Sequence, residues 1–281
     1  MKWLPLIGIL WLIPAGVSEK YYYEVPYQGE YAVDANIDIP VGTVTLQQAE
    51  EGYLFQAEVV LAKDNLKPKF VYRVEEEKGY LRLALDTGRK EWNFMPHDLR
   101  FIKKSAWNLY LGNEAPIDLK LTLGVTESEL NFTGVALQRL KLSCGAASAQ
   151  MQWDAPNPIS MEKLHIEVGA SDFKAYGLGY SRAQVIKIES GVANLFLDFT
   201  GGYLPPGAEI ELEVGVASVT VKLPEDQPVI LELSKHWFFH ADVPVGYTKK
   251  GKGLWYSPQV VSPSEAIVVK ISGGVGEVTF E

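Results

Sequence analysis

Cysteine is almost missing from this 281-residue chain, Cys144 being the only one. That excludes an intramolecular disulfide framework, so stability has to come from the core, which a chain of this length can build. Histidine is scarce too, with four copies. Long apolar runs are confined to the N-terminus, where Trp3 to Val17 is broken by Pro5, Gly8 and Pro14 and ends in Ala15, Gly16 and Ser18 before Glu19. The run is shorter than the roughly 20 residues of a spanning helix. It predicts a signal peptide over 1–18, cleaved near Ser18, with an uncleaved anchor as the alternative. Cys144 lies far from that segment and offers no thiol for lipid attachment. Basic surplus is also lacking: the net charge is −9, and losing Lys2 with the signal makes it one unit more negative. An acidic chain without a basic stripe argues against nucleic acid and anionic lipid surfaces as partners. Helical periodicity of a length comparable to the strand repeat described below is absent from the mature chain. So are a Gly-x-Ser-x-Gly elbow, a phosphate-cradling loop and a dinucleotide fingerprint.

What is present is a repeat. Ile210, Leu212 and Val214 precede Gly215 at odd offsets, and Ala217, Val219, Val221 and Leu223 follow it at even ones. Alternate side chains of a strand face opposite ways, so a one-residue change of phase turns the core face outward unless the chain bends or bulges there. Glycine permits such a bend. The same unit surrounds Gly124, Gly145, Gly169, Gly191 and Gly274, with a shorter copy at Gly42, and the intervals from Gly124 to Gly215 run from 21 to 24 residues. A period in that range indicates a solenoid or stacked array. Two positions after the glycine the residue is always small (Thr126, Ala147, Ser171, Ala193, Ala217, Gly276), which predicts crowding inside the corner. Four positions before it, Lys120, Lys141, His165, Lys187, Glu211 and Lys270 share one polar register. One face is therefore buried and the other wet, and each unit reads as two short strands meeting at a glycine corner.

Upstream of the repeats, Phe70, Tyr72 and Val74 alternate into Glu75-Glu76-Glu77-Lys78-Gly79, and Leu81, Leu83 and Leu85 alternate out again. That is a hairpin signature, and its acidic triplet reads as a solvated turn rather than a cation site. From Thr87 to Pro116 the alternation is lost. Arg89, Lys90, Arg100, Lys103 and Lys104 stand there among Trp92, Phe94, Phe101, Trp107 and Tyr110. Such mixtures can stack single-stranded nucleic acid, but Glu91, Asp98 and Glu114 dilute the charge, and we read a crossover covering the sheet. The expected organisation is a signal peptide at 1–18, an N-terminal β-domain at 19–95, a crossover at 96–114 and a repeated β-solenoid domain at 115–281.

Candidate chemistry is thin. Cys144 occupies the place that Leu123, Val168 and Val214 hold in other units, which makes it a small core hydrophobe with a raised thiol pKa. His236 and His240 have the helical zinc spacing in a stretch that reads as strand or loop, and nothing completes a ligand set. No metal, cofactor or catalytic residue is assigned, and the chain reads as no enzyme. Carboxylates are numerous without any pair being singled out, so a glycoside hydrolase stands only as a third class. The longest interruption of the repeats, from Leu233 to Ala266, holds Trp237, Phe239, Tyr247, Trp255 and Tyr256 around the flexible Lys250-Gly251-Lys252-Gly253. These five are the candidate binding residues, since aromatic side chains are enriched at binding surfaces. The competing reading has the aromatic segment cap the open end of the array against edge pairing.

Several segments carry a family resemblance in their order along the chain. They are Leu54 to Leu85 with Lys67-Pro68, Ala115-Pro116-Ile117-Asp118-Leu119, the Gly-Ala and Gly-Val corners, Pro156-Asn157, Leu197-Asp198-Phe199-Thr200-Gly201 and Leu223-Pro224. The chain resembles the bacterial toast-rack family, in which a small N-terminal domain precedes stacked β-units. That family is similar to the C-terminal β-domains of membrane regulators that respond to cell-wall antibiotics. The resemblance implies an envelope protein and supplies no catalytic residues. The fold class expected is all-β, a solenoid-like toast-rack array of stacked short strands with a smaller N-terminal β-domain. The function expected is a non-enzymatic exported envelope module, periplasmic or extracellular, that presents a rigid β-surface to an envelope protein. The alternative is a saccharide or small-ligand binding domain using residues 236–256. No membrane insertion is expected after signal cleavage, and the oligomeric state is left open.

Overall fold

The computed structural model describes residues 19–62, 67–86, 105–234 and 238–281, without the side chains of 86 and 238–241. The expected signal segment, the basic and aromatic stretch up to Lys104, His97, His236 and Trp237 lie outside the described residues. In chain order the strands are β1 (Glu19–Pro26), β2 (Ala32–Gln48), β3 (Tyr53–Leu61), β4 (Lys67–Glu75), β5 (Lys78–Asp86) and β6 (Ala106–Leu111). Then come β7 (Ile117–Asn131), β8 (Leu137–Cys144), β9 (Ser148–Gln152), β10 (Met161–Tyr176), β11 (Ala183–Asp198) and β12 (Glu209–Lys222). The last are β13 (Val229–Leu233), β14 (Phe238–Ala241), β15 (Thr248–Gly251), β16 (Leu254–Tyr256) and β17 (Ile267–Phe280). The protein is all-β, and among the described residues no helix is long and apolar enough to cross a membrane.

The repeats stack as parallel rungs. β2 lies against β7, β7 against β8 and β9, these against β10, and β10, β11, β12 and β17 follow in turn. Pairing is in register across the corner: Ile186 faces Ile210, which faces Val269, and beyond the bend Leu195 faces Val219, which faces Val278. The phase change read from the sequence is visible in burial. In β11, Ile186 and Ile188 are buried, Gly191 and Val192 both point outward, and Ala193, Leu195 and Leu197 are buried again. The strand ladder runs through the bend unbroken in β2, β7, β10, β11, β12 and β17, and divides in two between β8 and β9.

The corner glycines are required for a different reason from the one expected. Gly215 is not among the glycines with positive φ, but a Cβ there would lie 2.6 Å from the carbonyl oxygen of Gly191 in the rung beside it. Close backbone approach excludes the side chain. Left-handed backbone occurs two positions later, where Gly276 has φ +149° and its Cβ would meet Ala217 O at 2.0 Å. Gly42 belongs to this second class. Register pairs Ile39 with Leu123 and Gly42 with Thr126, so the corner of β2 falls at Pro40, and the expectation of a corner at Gly42 is off by two residues.

Both ends depart from the repeat. At the N-terminal end, the β4–β5 hairpin extends one arm of the array through β2, while β6, β3 and β1 extend the other. The hairpin turn holds Glu76 and Glu77 at φ +50° and +61°, the mirror-image turn that suits twisted strands. β6 occupies part of the stretch read as a patternless crossover. Its Trp107 is fully buried and donates from Nε1 to Val41 O at 3.1 Å. At the C-terminal end, β13 and β14 pair with the two halves of β17, and β16 and β15 add an antiparallel arm to β13. A continuous set of buried residues runs from Val25 to Val278. Side-chain amides stitch the turns: Asn157 donates to the carbonyls of Leu137 and Ile159 at 2.8 Å, and Gln227 brackets the backbone of Leu204.

Candidate functional site on the corner face

Because two consecutive residues turn outward at the bends from β7 to β17, the corner carries a row of glycines beside a row of mostly exposed apolar residues. Val192, Val216 and Val275 are register partners on adjacent strands, with exposures of 63%, 50% and 48%. Valines exposed side by side form an apolar ridge rather than scattered surface residues. Bare glycine leaves hollows beside it. A groove of about 1040 Å³ runs along one flank from Thr122 to Gly274, and a second of about 630 Å³ runs along the other from Ala146 to Gly276.

Polar rows bound these grooves. Two positions before the corner stand Asp38, Thr122, Ser143, Glu167, Glu189, Glu213 and Ser272, and three positions after it Thr43, Glu127, Ser148, Asp172, Asn194, Ser218 and Glu277. In β2, β7 to β12 and β17 neither row contains lysine, arginine or histidine, and beyond β17 the second row continues to His240 of β14, opposite Glu277. The face is an apolar ridge with an acidic margin.

Farther from the ridge lies the lysine-rich row, and the two rows join by ion pairs within and across rungs. Lys141 Nζ is 2.6 Å from Glu167, and Lys187 Nζ is 3.1 Å from Glu189 and 3.7 Å from Glu213. His165 takes a lysine position in this ladder, its Nε2 lying 2.6 Å from Glu189 Oε2 and 3.6 Å from Glu167 Oε1. The Lys141 ammonium, then the Ser143 hydroxyl, hold the Glu167 carboxyl below its ordinary range. The hydrogen bond from His165, then that from Lys187, do the same for Glu189.

The aromatic residues singled out from the sequence are placed as follows. Trp237 is outside the described residues, and Phe239 lies in β14 opposite Gly276 without a described side chain. Tyr247 and Trp255 are half-buried and packed against the core, and burial pushes the Tyr247 phenol up to about 12. Trp255 stands opposite Leu231 and Tyr256 opposite Ile230. Lys249 and Lys250 reach over the Trp255 and Tyr256 rings at 5.6 and 5.9 Å. Cys144 is 3% exposed with its thiol pushed up to about 12 by burial, as expected of a core residue. The sequence reading missed the corner ridge, although its signal was there in Val192, Val216 and Val275, each directly after a corner glycine. It also missed the meeting of His165 with Glu189, which requires knowing the register between rungs.

Residues 14–155 match the family model described as the N-terminal domain of toast_rack, DUF2154. Among solved structures, a "putative cell adhesion protein" from Clostridium sporogenes ATCC 15579 is similar over 94% of this chain and 98% of its own, at 20% identity and a TM-score of 0.51. A "putative adhesin" from Bacteroides fragilis NCTC 9343 is similar over 95% and 99%, at 14% identity and a TM-score of 0.37. The first of these likenesses extends to the fold alone. No curated protein matches the sequence.

Proposed function

Because the chain belongs to the toast-rack family, we propose that it is a non-catalytic, exported module of the bacterial envelope that presents a rigid β-surface to a protein partner. The observation that carries this reading is the corner face, where Val192, Val216 and Val275 form an exposed ridge between two grooves. Strands paired on both sides hold that ridge in place, so it can be recognised with little ordering cost. Its acidic margin favours a partner segment with apolar residues flanked by lysine or arginine. A fold shared with a designated cell adhesion protein is compatible with a role outside the cytoplasm, and the likeness extends no further. The alternative, a saccharide or small ligand held by residues 236–256, is weakened for Tyr247 and Trp255, whose rings pack on the core.

The test is crosslinking in the native envelope fraction with a photoreactive group at residue 218, beside the ridge. We expect a specific protein to be captured by the wild-type face and lost from a Val192→Lys, Val216→Lys variant with an unchanged melting temperature. Capture that survives this variant and disappears with Trp255→Ala would transfer the interface to the aromatic arm. Absence of any captured protein from both faces would overturn the reading.

A further inference from the structure

We propose that His165, Glu167 and Glu189 form a binding site for a zinc-class divalent metal ion on the outer face of β10 and β11. Stacking of the rungs is parallel and in register. It brings the lysine-row position of β10 beside the glutamate-row positions of β10 and β11, although His165 and Glu189 are 24 residues apart. One ligand atom from each of the three side chains lies within 4.8 Å of the others. A single ion with metal–ligand bonds of about 2 Å can span such a set after small side-chain adjustment, leaving a fourth position for water or a partner's group.

His165 is the histidine of a row that is otherwise mostly lysine, with Glu211 and Asn36 as its other members. Lys120, Lys141, Lys187 and Lys270 hold equivalent places in other rungs, and an ammonium fills such a place with positive charge and no lone pair. Imidazole offers a neutral nitrogen donor, the ligand that selects zinc and its transition-metal neighbours over calcium and magnesium. It is also the most buried member of the set, 18% exposed, while Glu167 and Glu189 are 38% and 36% exposed along the groove. An ion can therefore enter from solvent and meet a half-buried nitrogen.

Charge points the same way. Glu167, Glu189, Glu211 and Glu213 surround the patch against Lys141 and Lys187, and Lys187 is shared between Glu189 and Glu213. The carboxylates that reach these ammonium groups outnumber them, Glu167, Glu189 and Glu213 against Lys141 and Lys187, which favours a cation. Both lysines sit on long, solvent-reaching stems, so an incoming ion displaces flexible ammonium groups rather than a rigid bond. This site is independent of the protein-partner reading, because it needs neither the valine ridge nor a second molecule.

The experiment is calorimetric titration of the chelator-treated full chain with zinc chloride. We expect one zinc per chain and no saturable heat from calcium chloride. Affinity should fall by roughly tenfold or more in His165→Lys and in Glu189→Gln, since loss of even an outer contact to a metal site costs about that much. His165→Lys restores the residue type of neighbouring rungs, so its melting temperature in chelator should match wild type, which separates loss of a ligand from loss of the fold. A His236→Ala, His240→Ala variant should bind like wild type. Absence of saturable zinc binding by wild type, retention of full affinity by His165→Lys, or loss confined to the 236 and 240 variant would each overturn the proposal.

Discussion

Between β7 and β12 every rung lies against parallel copies of itself, whereas both ends of the array are closed by antiparallel strands that follow no repeat. In the middle, each side chain meets its own counterpart: Leu140 meets Leu164, Lys141 meets His165, Ile186 meets Ile210. At the N-terminal end the contacts are particular. Phe70 stacks on Tyr23 at 4.6 Å and on Phe55 at 5.7 Å, and the buried Glu30 carboxylate takes hydrogen bonds from the Tyr72 hydroxyl and the Gln28 backbone N–H, both at 2.7 Å. The C-terminal end uses Tyr247 and Trp255. The outermost strands there and at the hairpin, β15 and β4, carry Lys249 and Lys250 and Lys67, Pro68 and Lys69. Charged edges of like sign discourage copies of the chain from pairing end to end. The middle thus depends on how closely backbones approach, and the ends on which side chains meet.

The largest expected effect breaks the middle. Gly215→Val places a side chain where Gly191 O stands 2.6 Å from the Cβ position, and backbone held by ladders on both sides cannot retreat. We expect a loss of about 3 kcal/mol or more, against a change within about 0.5 kcal/mol for the outward Thr220→Val. Denaturant midpoints of the two variants decide this, and equal midpoints would remove close approach as the reason for the glycine. The size should also be graded. At Gly191 the nearest oxygen is 3.2 Å away, so Gly191→Ala should cost less than Gly215→Ala.

The same contrast governs what the sequence makes legible. The repeat period, the change of phase and the small residue two places past the corner are local patterns, and Gly276, where a Cβ would meet Ala217 O, shows the expected crowding. Misplacing the corner of β2 at Gly42 has a physical cause: a shift of two residues leaves every side chain on the same face, so alternation cannot detect it. Only pairing of Ile39 with Leu123 locates the bend at Pro40. β6 was illegible because its three inward residues, Trp107, Leu109 and Leu111, are fewer than a convincing alternation and its partners, β2 and β3, lie far away in sequence. His165 could be assigned to its row, but its neighbours could not be named, because rungs spaced 21 to 24 residues apart do not declare their register.

An intermediate effect separates the ends from each other. Tyr72→Phe removes one of two donors to buried Glu30 and should cost about 1–2 kcal/mol near neutral pH. It should also change the alkaline limb. Burial, then the Glu30 carboxylate, push the Tyr72 phenol up, and burial pushes Tyr23 up to about 12, while at the C-terminal end Tyr247 is pushed up to about 12. Unfolded tyrosine ionises near about pH 10. Where the folded value lies above the unfolded one, the stabilising contribution is intact below about pH 10 and is lost as pH rises toward the folded value. Unfolding midpoints followed from neutral pH into this alkaline range should therefore fall less steeply in Tyr72→Phe than in Tyr247→Phe. Equal slopes would mean that the two ends respond alike.

The smallest effect tests whether neighbours dictate a residue in the middle of the array. Ser190 stands between Val168 and Val214 in register, and its buried hydroxyl has no hydrogen-bond partner among the described residues. An unpaired buried hydroxyl keeps its desolvation cost and returns nothing, and valine suits both the strand and the apolar column on either side. Ser190→Val should stabilise the protein by about 1 kcal/mol, read as a higher urea midpoint with unchanged slope. A lower midpoint would show that the column at this height has no room for the second methyl group, and that rung spacing here is set by the serine rather than by the valines beside it.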